Sequence, residues 1–268
     1  MEQFIEPVKT IITKASHIVM RIYKQDFSVF HKDDKSPLTL ADLECNKIIT
    51  EGLNAITNYP ILSEEGNEIA WSERRKWNQY WLVDPIDGTK EFIKKNDEFT
   101  INIALIKNGV PVFGMVAAPA LNATYFGIQG LGAWKIDNHG KHHAIKVNPP
   151  PKSNWKVIVS RSHANKKAVA LFANSLPGSE LITMGSSLKF CLIAEGNADI
   201  YPRFGPTSEW DTAAAQAIVP AAGGKVVDFE LNPLRYNTKN SLVNPGFVVC
   251  SKIDIHWSDF IKQYLRDA

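Results

Sequence analysis

Apolar residues at positions 4, 5, 8, 11, 12, 15, 18, 19 and 22 recur at helical spacing and predict an amphipathic helix over residues 4–22. Residues 27–31 alternate weakly and read as a short strand, followed by a polar loop over 32–37. Thr39 stands where it can cap a second helix, whose apolar face would be Leu40, Leu43, Ile48, Leu53 and Ile56. A short buried strand over 60–66 ends in Glu64 and Glu65, and residues 67–79 read as a surface excursion. The run Trp81-Leu-Val83 predicts a buried strand that stops at Pro85, which has no N–H for a central ladder. From 99 to 147 the alternation at 100–106, the Asn108-Gly109 turn and further short apolar runs predict an antiparallel meander.

Three prolines at 149–151 break ladders and helices alike, so the expected boundary lies there, with units at 1–150 and 151–268. Beyond it, strands at 157–160, 181–184, 198–201, 225–227 and 247–250 alternate with helices at 164–174, 186–194, 209–222 and 253–265. Ser186 and Ser187 stand at the start of the second of these helices as a serine cap, and Gly223-Gly224 ends the third. The fold class is therefore α/β, with an α+β N-terminal half and an α/β C-terminal half.

Composition narrows the function. With 268 residues, 44% hydrophobic and 22% charged, the chain can bury a real core. A formal net charge of +2 offers no basic field for a nucleic-acid polymer. No apolar run reaches the roughly 18 residues of a membrane span, and the N-terminus has no signal-peptide pattern. Peripheral membrane association stays open. Cys45, Cys191 and Cys250 are odd in number and sit among apolar residues, so free thiols in a cytoplasmic, reducing setting are expected.

The chemistry concentrates at Trp81-Leu-Val-Asp84-Pro-Ile-Asp87-Gly-Thr89. Two carboxylates flank the expected end of the strand at Pro85, and Gly88-Thr89 leads into a possible helical turn whose free N–H groups suit a phosphate. Carboxylates repel phosphate, so a cation has to stand between them. The stretch reads as a Mg²⁺–phosphate site, although Asp-Pro-x-Asp-Gly is equally a turn sequence. Further acids at Asp42, Glu64 and Asp211 strengthen the first reading. Asp42 also suits the helix dipole, and Asp211 also suits a helix cap. If the five converge, they stay ionised only around cations. Oxygen ligands without His or Cys select Mg²⁺, and two ions about 4 Å apart serve phosphoryl displacement.

Asp84-Pro-Ile-Asp-Gly-Thr89, with Ser63-Glu-Glu65 before it and Trp210-Asp-Thr-Ala-Ala214 after it, resembles the lithium-sensitive, Mg²⁺-dependent phosphatase superfamily. That group includes inositol monophosphatases and fructose-1,6-bisphosphatases. The strings Gly88-Thr-Lys-Glu-Phe-Ile93, Ser160-Arg-Ser-His163, Gly185-Ser-Ser-Leu-Lys-Phe190 and Tyr201-Pro-Arg-Phe-Gly205 resemble its bacterial 3′(2′),5′-bisphosphate nucleotidase branch. The resemblance implies a layered α-β-α-β-α sugar-phosphatase fold and two or three Mg²⁺ ions. It makes Glu64, Asp84 and the Ile86 carbonyl ligands of one ion, and Asp84, Asp87 and Asp211 ligands of a second. Asp42 and Thr89 would orient and deprotonate the attacking water beside Glu64, and the N–H groups near Gly88-Thr89 would hold the phosphate.

The implied reaction removes the 3′-phosphate of 3′-phosphoadenosine 5′-phosphate, clearing a by-product of sulfate assimilation. Glu64, Ile86, Asp87 and Asp211 would then also border the substrate. The phosphate that stays behind needs its own positive pocket, for which Ser187, Lys189 and Arg203 are candidates, with His163 and Tyr201 as base or ribose contacts. Each of these is also an ordinary surface residue when taken alone. The rivals are an inositol or sugar monophosphatase and a non-catalytic nucleotide- or metal-binding regulator.

Overall fold

The computed structural model describes residues 1–31, 37–162, 165–253 and 255–267. Helix α1 (Ile5–Tyr23) follows the expected periodicity, and Val8, Ile12, Ala15 and Val19 on one stripe are buried. A two-stranded ribbon, β1 (Val29–His31) and β2 (Pro37–Thr39), leads into α2 (Leu40–Ile56). The inward face of α2 differs from the expected one. Ala41, Asp42, Cys45, Ile49 and Leu53 are buried, whereas Leu40 and Leu43 are 50% and 45% exposed. Large apolar residues mislead here because the helix turns small ones inward. The Cys45 thiol reaches the Pro85 carbonyl at 3.1 Å, and a methyl at Gly52 would meet Ile11 at 2.6 Å.

Seven strands form the first sheet in sequential order: β3 (Ile61–Ser63), β4 (Gln79–Asp87), β5 (Thr100–Lys107), β6 (Val110–Ala118), β7 (Ala123–Ile128), β8 (Gly132–Ile136) and β9 (His142–Ala144). Between β3 and β4 lies a helical turn, α3 (Trp71–Arg74), and the expected surface excursion is only partly one, since Arg74 is buried. The central strand does not stop at Pro85. Asp84 pairs with Asn102 and Asp87 with Thr100, so three residue steps on β4 oppose two on β5. Pro85 sits in that bulge, where no ladder N–H is required of it. The bulge thus lets a buried strand carry a proline and displays two carboxylates at its end. Gly88, in the left-handed region at φ +89°, turns the chain into α4 (Thr89–Ile93).

The second sheet is ordered β11 (Glu180–Met184), β10 (Lys156–Ser160), β12 (Ile200–Arg203), β14 (Phe247–Cys250), β13 (Lys225–Asp228). It is mixed: β10 runs parallel to β11 and β12, and β14 is antiparallel to both its neighbours. Helices α5 (Lys166–Asn174), α6 (Leu188–Ala194), α7 (Glu209–Ala221) and α8 (Ile255–Asp267) complete the chain.

Three cores fill the spaces between layers. The first joins α1 and α2 to one face of the seven-stranded sheet. The second joins the opposite face to α6, α7 and the five-stranded sheet. The third packs Phe172, Leu176, Trp257 and Ile261 on the far face of that second sheet. The order of layers is α-β-α-β-α, as the resemblance implied. Helix α7 is alanine-rich because it lies almost on the strands. A methyl at Gly114 of β6 would come within 2.1 Å of the Ala214 carbonyl oxygen. Among the described residues no helix is long and apolar enough to cross a membrane.

Candidate active site

The layering brings the sequence-distant acids together. Asp84 and Asp87 flank the bulge of β4. Glu64 follows β3, held by its N–H to the Val83 carbonyl at 3.1 Å. Asp211 lies in the first turn of α7. Carboxylate oxygens of Glu64, Asp84 and Asp211 all lie within 4.8 Å of one another.

The capping alternatives for Asp42 and Asp211 turn out to be compatible with the site. One Asp211 oxygen accepts from the Ser208 N–H at 2.9 Å in a capping box, and the residue still borders the acidic cluster. One Asp42 oxygen accepts from the Thr39 N–H and hydroxyl at 2.7 and 2.6 Å. Its other oxygen faces the Thr89 hydroxyl at 3.4 Å, which also lies 3.2 Å from the Ile86 carbonyl. A carboxylate has two oxygens, and here the cap uses one of them.

Asp84 is 1% exposed and neither of its oxygens has a hydrogen-bond partner. Burial, then Glu64, Asp87, Asp211 and Asp42, hold its carboxyl well above the usual range. Burial followed by Asp87 and Glu64 does the same to Asp211. Asp87 is raised by burial, with Lys189 acting against it. Buried anions without partners are costly unless a cation completes them. An all-oxygen set with an unpartnered Asp84 at its centre fits Mg²⁺.

These shifts have a consequence for stability. Carboxyls raised in the fold bind more protons folded than unfolded, so the metal-free protein loses stability as pH climbs from about 4 through the raised values. A divalent cation removes that penalty. The melting-temperature gain on adding Mg²⁺ is expected to be larger at about pH 8 than at about pH 5, as scanning calorimetry would show. A gain independent of pH would place the ion away from these acids.

Glu64, Asp87 and Asp211 border a cleft of about 440 Å³ that Gly88, Thr89, Ser187, Lys189, Tyr201 and Arg203 also line. His163 lies outside the described residues. Ser187 does not cap α6 with its side chain. Its hydroxyl donates to the Asn102 side-chain oxygen at 2.8 Å and lies 2.7 Å from the Thr100 hydroxyl. The Ser186 hydroxyl and the Ser187 N–H both donate to Asp87, at 2.8 and 2.6 Å. Ser186 holds a left-handed φ of +53° to do so.

Lys189 is buried beside Asp87, with its ammonium donating to the Ser186 carbonyl and lying 5.4 Å from the Tyr201 ring centroid. Burial lowers its pKa to about 8, with Asp87 acting against the shift. Arg203 donates to the carbonyls of Gly205 and Pro206 at 3.1 and 2.6 Å.

Other residues at the cleft went unnoticed in the sequence. Glu91 is buried there and accepts from the Ser162 hydroxyl. Glu98 does not line the cleft itself; it binds Arg161 through both carboxylate oxygens at 2.6 and 2.5 Å and accepts at 2.7 Å from the N–H of Gly185, which does. Glu91 and Ser162 stand inside the quoted strings, which was the available signal. Val243 carries none, because its irregular connection has no pattern to read.

Comparison with known proteins gives the site a setting. The chain is 45% identical over 250 residues to the 3′(2′),5′-bisphosphate nucleotidase CysQ of Salmonella typhimurium, covering 91% of this chain and 98% of that protein. The crystal structure of CysQ from Bacteroides thetaiotaomicron is 40% identical with a TM-score of 0.79, covering 91% of this chain and 95% of that one. An IMPase/NADP phosphatase complexed with Mg²⁺ and phosphate shares the fold, at 18% identity and a TM-score of 0.80 over 100% of this chain and 96% of that one. The pattern of the inositol monophosphatase family matches residues 1–257, and this chain belongs to that family.

Proposed function

We propose that the protein is a Mg²⁺-dependent 3′(2′),5′-bisphosphate nucleotidase that removes the 3′-phosphate of 3′-phosphoadenosine 5′-phosphate. The observation that carries this reading is Asp84, buried without partners among Glu64 and Asp211, which line a cleft together with Thr89, whose hydroxyl faces Asp42. The names of the relatives at 40–45% identity supply the substrate class.

Glu64, Asp84 and the Ile86 carbonyl would hold one Mg²⁺, and Asp84, Asp87 and Asp211 a second, with room for a third left open. When bound, such ions lower the pKa of water and neutralise the departing oxygen. Thr89 accepts a hydrogen bond from the attacking water while donating to Asp42, which gives the proton a path away. The start of α4 at Gly88 and Thr89 would offer backbone N–H groups to the transferred phosphate. Lys189, held at the cleft by the Ser186 carbonyl, adds positive charge for the bisphosphate.

Cys45, Cys191 and Cys250 are buried thiols that form no disulfide with one another, which supports a reducing, cytoplasmic setting. The test is phosphate release from a panel of nucleotide bisphosphates, inositol phosphates and fructose bisphosphate. The 3′,5′-bisphosphates are expected to give the highest kcat/KM, and activity is expected to vanish on chelation. Preference for an inositol phosphate would move the protein to another branch of the family. Activity that survives exhaustive chelation would remove the metal mechanism.

A further inference from the structure

Arg74 is only 2% exposed, and burying a guanidinium is expensive unless its donors are met. It does not line the cleft. Its acceptors all lie in the connection 229–246 between β13 and β14. It donates to the Asn237 side-chain oxygen at 2.6 Å, to the Lys239 carbonyl at 3.3 Å and to the Asn240 carbonyl. Asn237 returns its side-chain amide to the Arg74 carbonyl at 2.6 Å. The connection is long and has little ladder of its own, so its backbone polar groups need partners from elsewhere.

The same strap holds the start of α7. The Asn237 N–H donates to the Glu209 carboxylate and the Glu209 N–H to the Leu242 carbonyl, both at 2.8 Å. Val243 pairs with Ser208 in a β-bridge. The Asn244 N–H donates to the Thr207 carbonyl at 2.8 Å, and its side-chain amide reaches the Ser208 carbonyl and Thr212 hydroxyl at 2.8 and 3.0 Å. Every residue from 207 to 209 is thereby fastened to the strap. Asp211 stands two residues further on, and its capping bond comes from Ser208.

We propose that Arg74 is a positioning residue for the acidic cluster. By pinning the strap 237–244 it fixes the first turn of α7, and with it the approach of Asp211 to Asp84 and Glu64. Asp84 and Glu64 hang on the first sheet, whereas Asp211 hangs on a helix end that has to be held from outside. Arg74 lies on α3, in the connection from β3 to β4 of that same first sheet, so it ties one half of the cluster to the other. The inference rests on the metal reading above.

Two variants test it. Arg74→Met removes the donors while keeping much of the bulk. Asn237→Gly removes only the side-chain link, and glycine accepts the left-handed φ of +51° found there. Mg²⁺ binding is measured by isothermal titration calorimetry, and amide exchange over 207–212 is followed in the metal-free protein. Both variants are expected to weaken Mg²⁺ binding, by about ten-fold for Arg74→Met, and to speed exchange over 207–212. Mg²⁺ affinity and exchange that match the wild type, even with a lower melting temperature, would make Arg74 merely structural and overturn the proposal. If Arg74→Met does not fold, Asn237→Gly decides alone. A wild type that takes up no Mg²⁺ would sink the metal reading, while the exchange data would still judge the strap.

Discussion

Asp84→Asn is expected to abolish turnover and to stabilise the metal-free protein. Two effects of opposite sign follow from one carboxylate. Its oxygens would serve both proposed ion sites, so its loss is expected to remove several kcal/mol of transition-state stabilisation, about a thousand-fold or more in kcat. Without metal the same charge is a burden, because it is buried without partners beside Glu64, Asp87 and Asp211. Asparagine keeps the size and drops the charge. The variant should therefore melt higher than the wild type in a chelator, and the gap should widen as pH rises. At acid pH, where Asp84 holds its proton, the two curves should converge. Added Mg²⁺ should raise the wild type far more than the variant. The measurements are kcat at saturating Mg²⁺ and calorimetric scans over a pH series with and without the ion. A variant that melts lower at every pH would show that Asp84 stabilises the fold through contacts other than a cation.

Asp211→Asn should lose activity while leaving the helix intact. Asparagine caps as well as aspartate does, and its oxygen can still accept from the Ser208 N–H. Only the charge disappears. Activity should fall by at least about a hundred-fold, as loss of a metal-binding group allows, while the metal-free protein should be no less stable than the wild type and should gain on it as pH rises, because burial, Asp87 and Glu64 burden the Asp211 charge as well. Asp228→Asn is the matched control. Its carboxylate accepts from the N–H groups of Glu230 and Asn232 at 2.9 and 2.8 Å in a turn away from the cleft. Equal, small effects of both substitutions on kcat and on the Mg²⁺ requirement would reduce Asp211 to a cap.

The sequence alone determined the elements, the layered class and the acids. Helix α1 shows its buried stripe because large apolar residues recur at helical spacing, and 100–136 shows its meander through alternation and an Asn-Gly turn. The acids were legible because carboxylates in a β run and at helix starts form a rare combination that matches a family pattern. Tertiary structure decided what depends on neighbours distant in the chain. The inward face of α2 follows the small residues that let Cys45 approach Pro85, which hydrophobicity does not report. Pro85 stays inside its strand because β5 accommodates a bulge opposite it. Ser187, read as a phosphate holder, and its neighbour Ser186, read with it as a helix cap, spend their hydroxyls on Asp87, Thr100 and Asn102. Arg74 looked like one surface cation among many until its acceptors, more than 160 residues away, came into place around it. Local pattern fixes which backbone forms. The partners of a buried polar group are fixed only when the layers close.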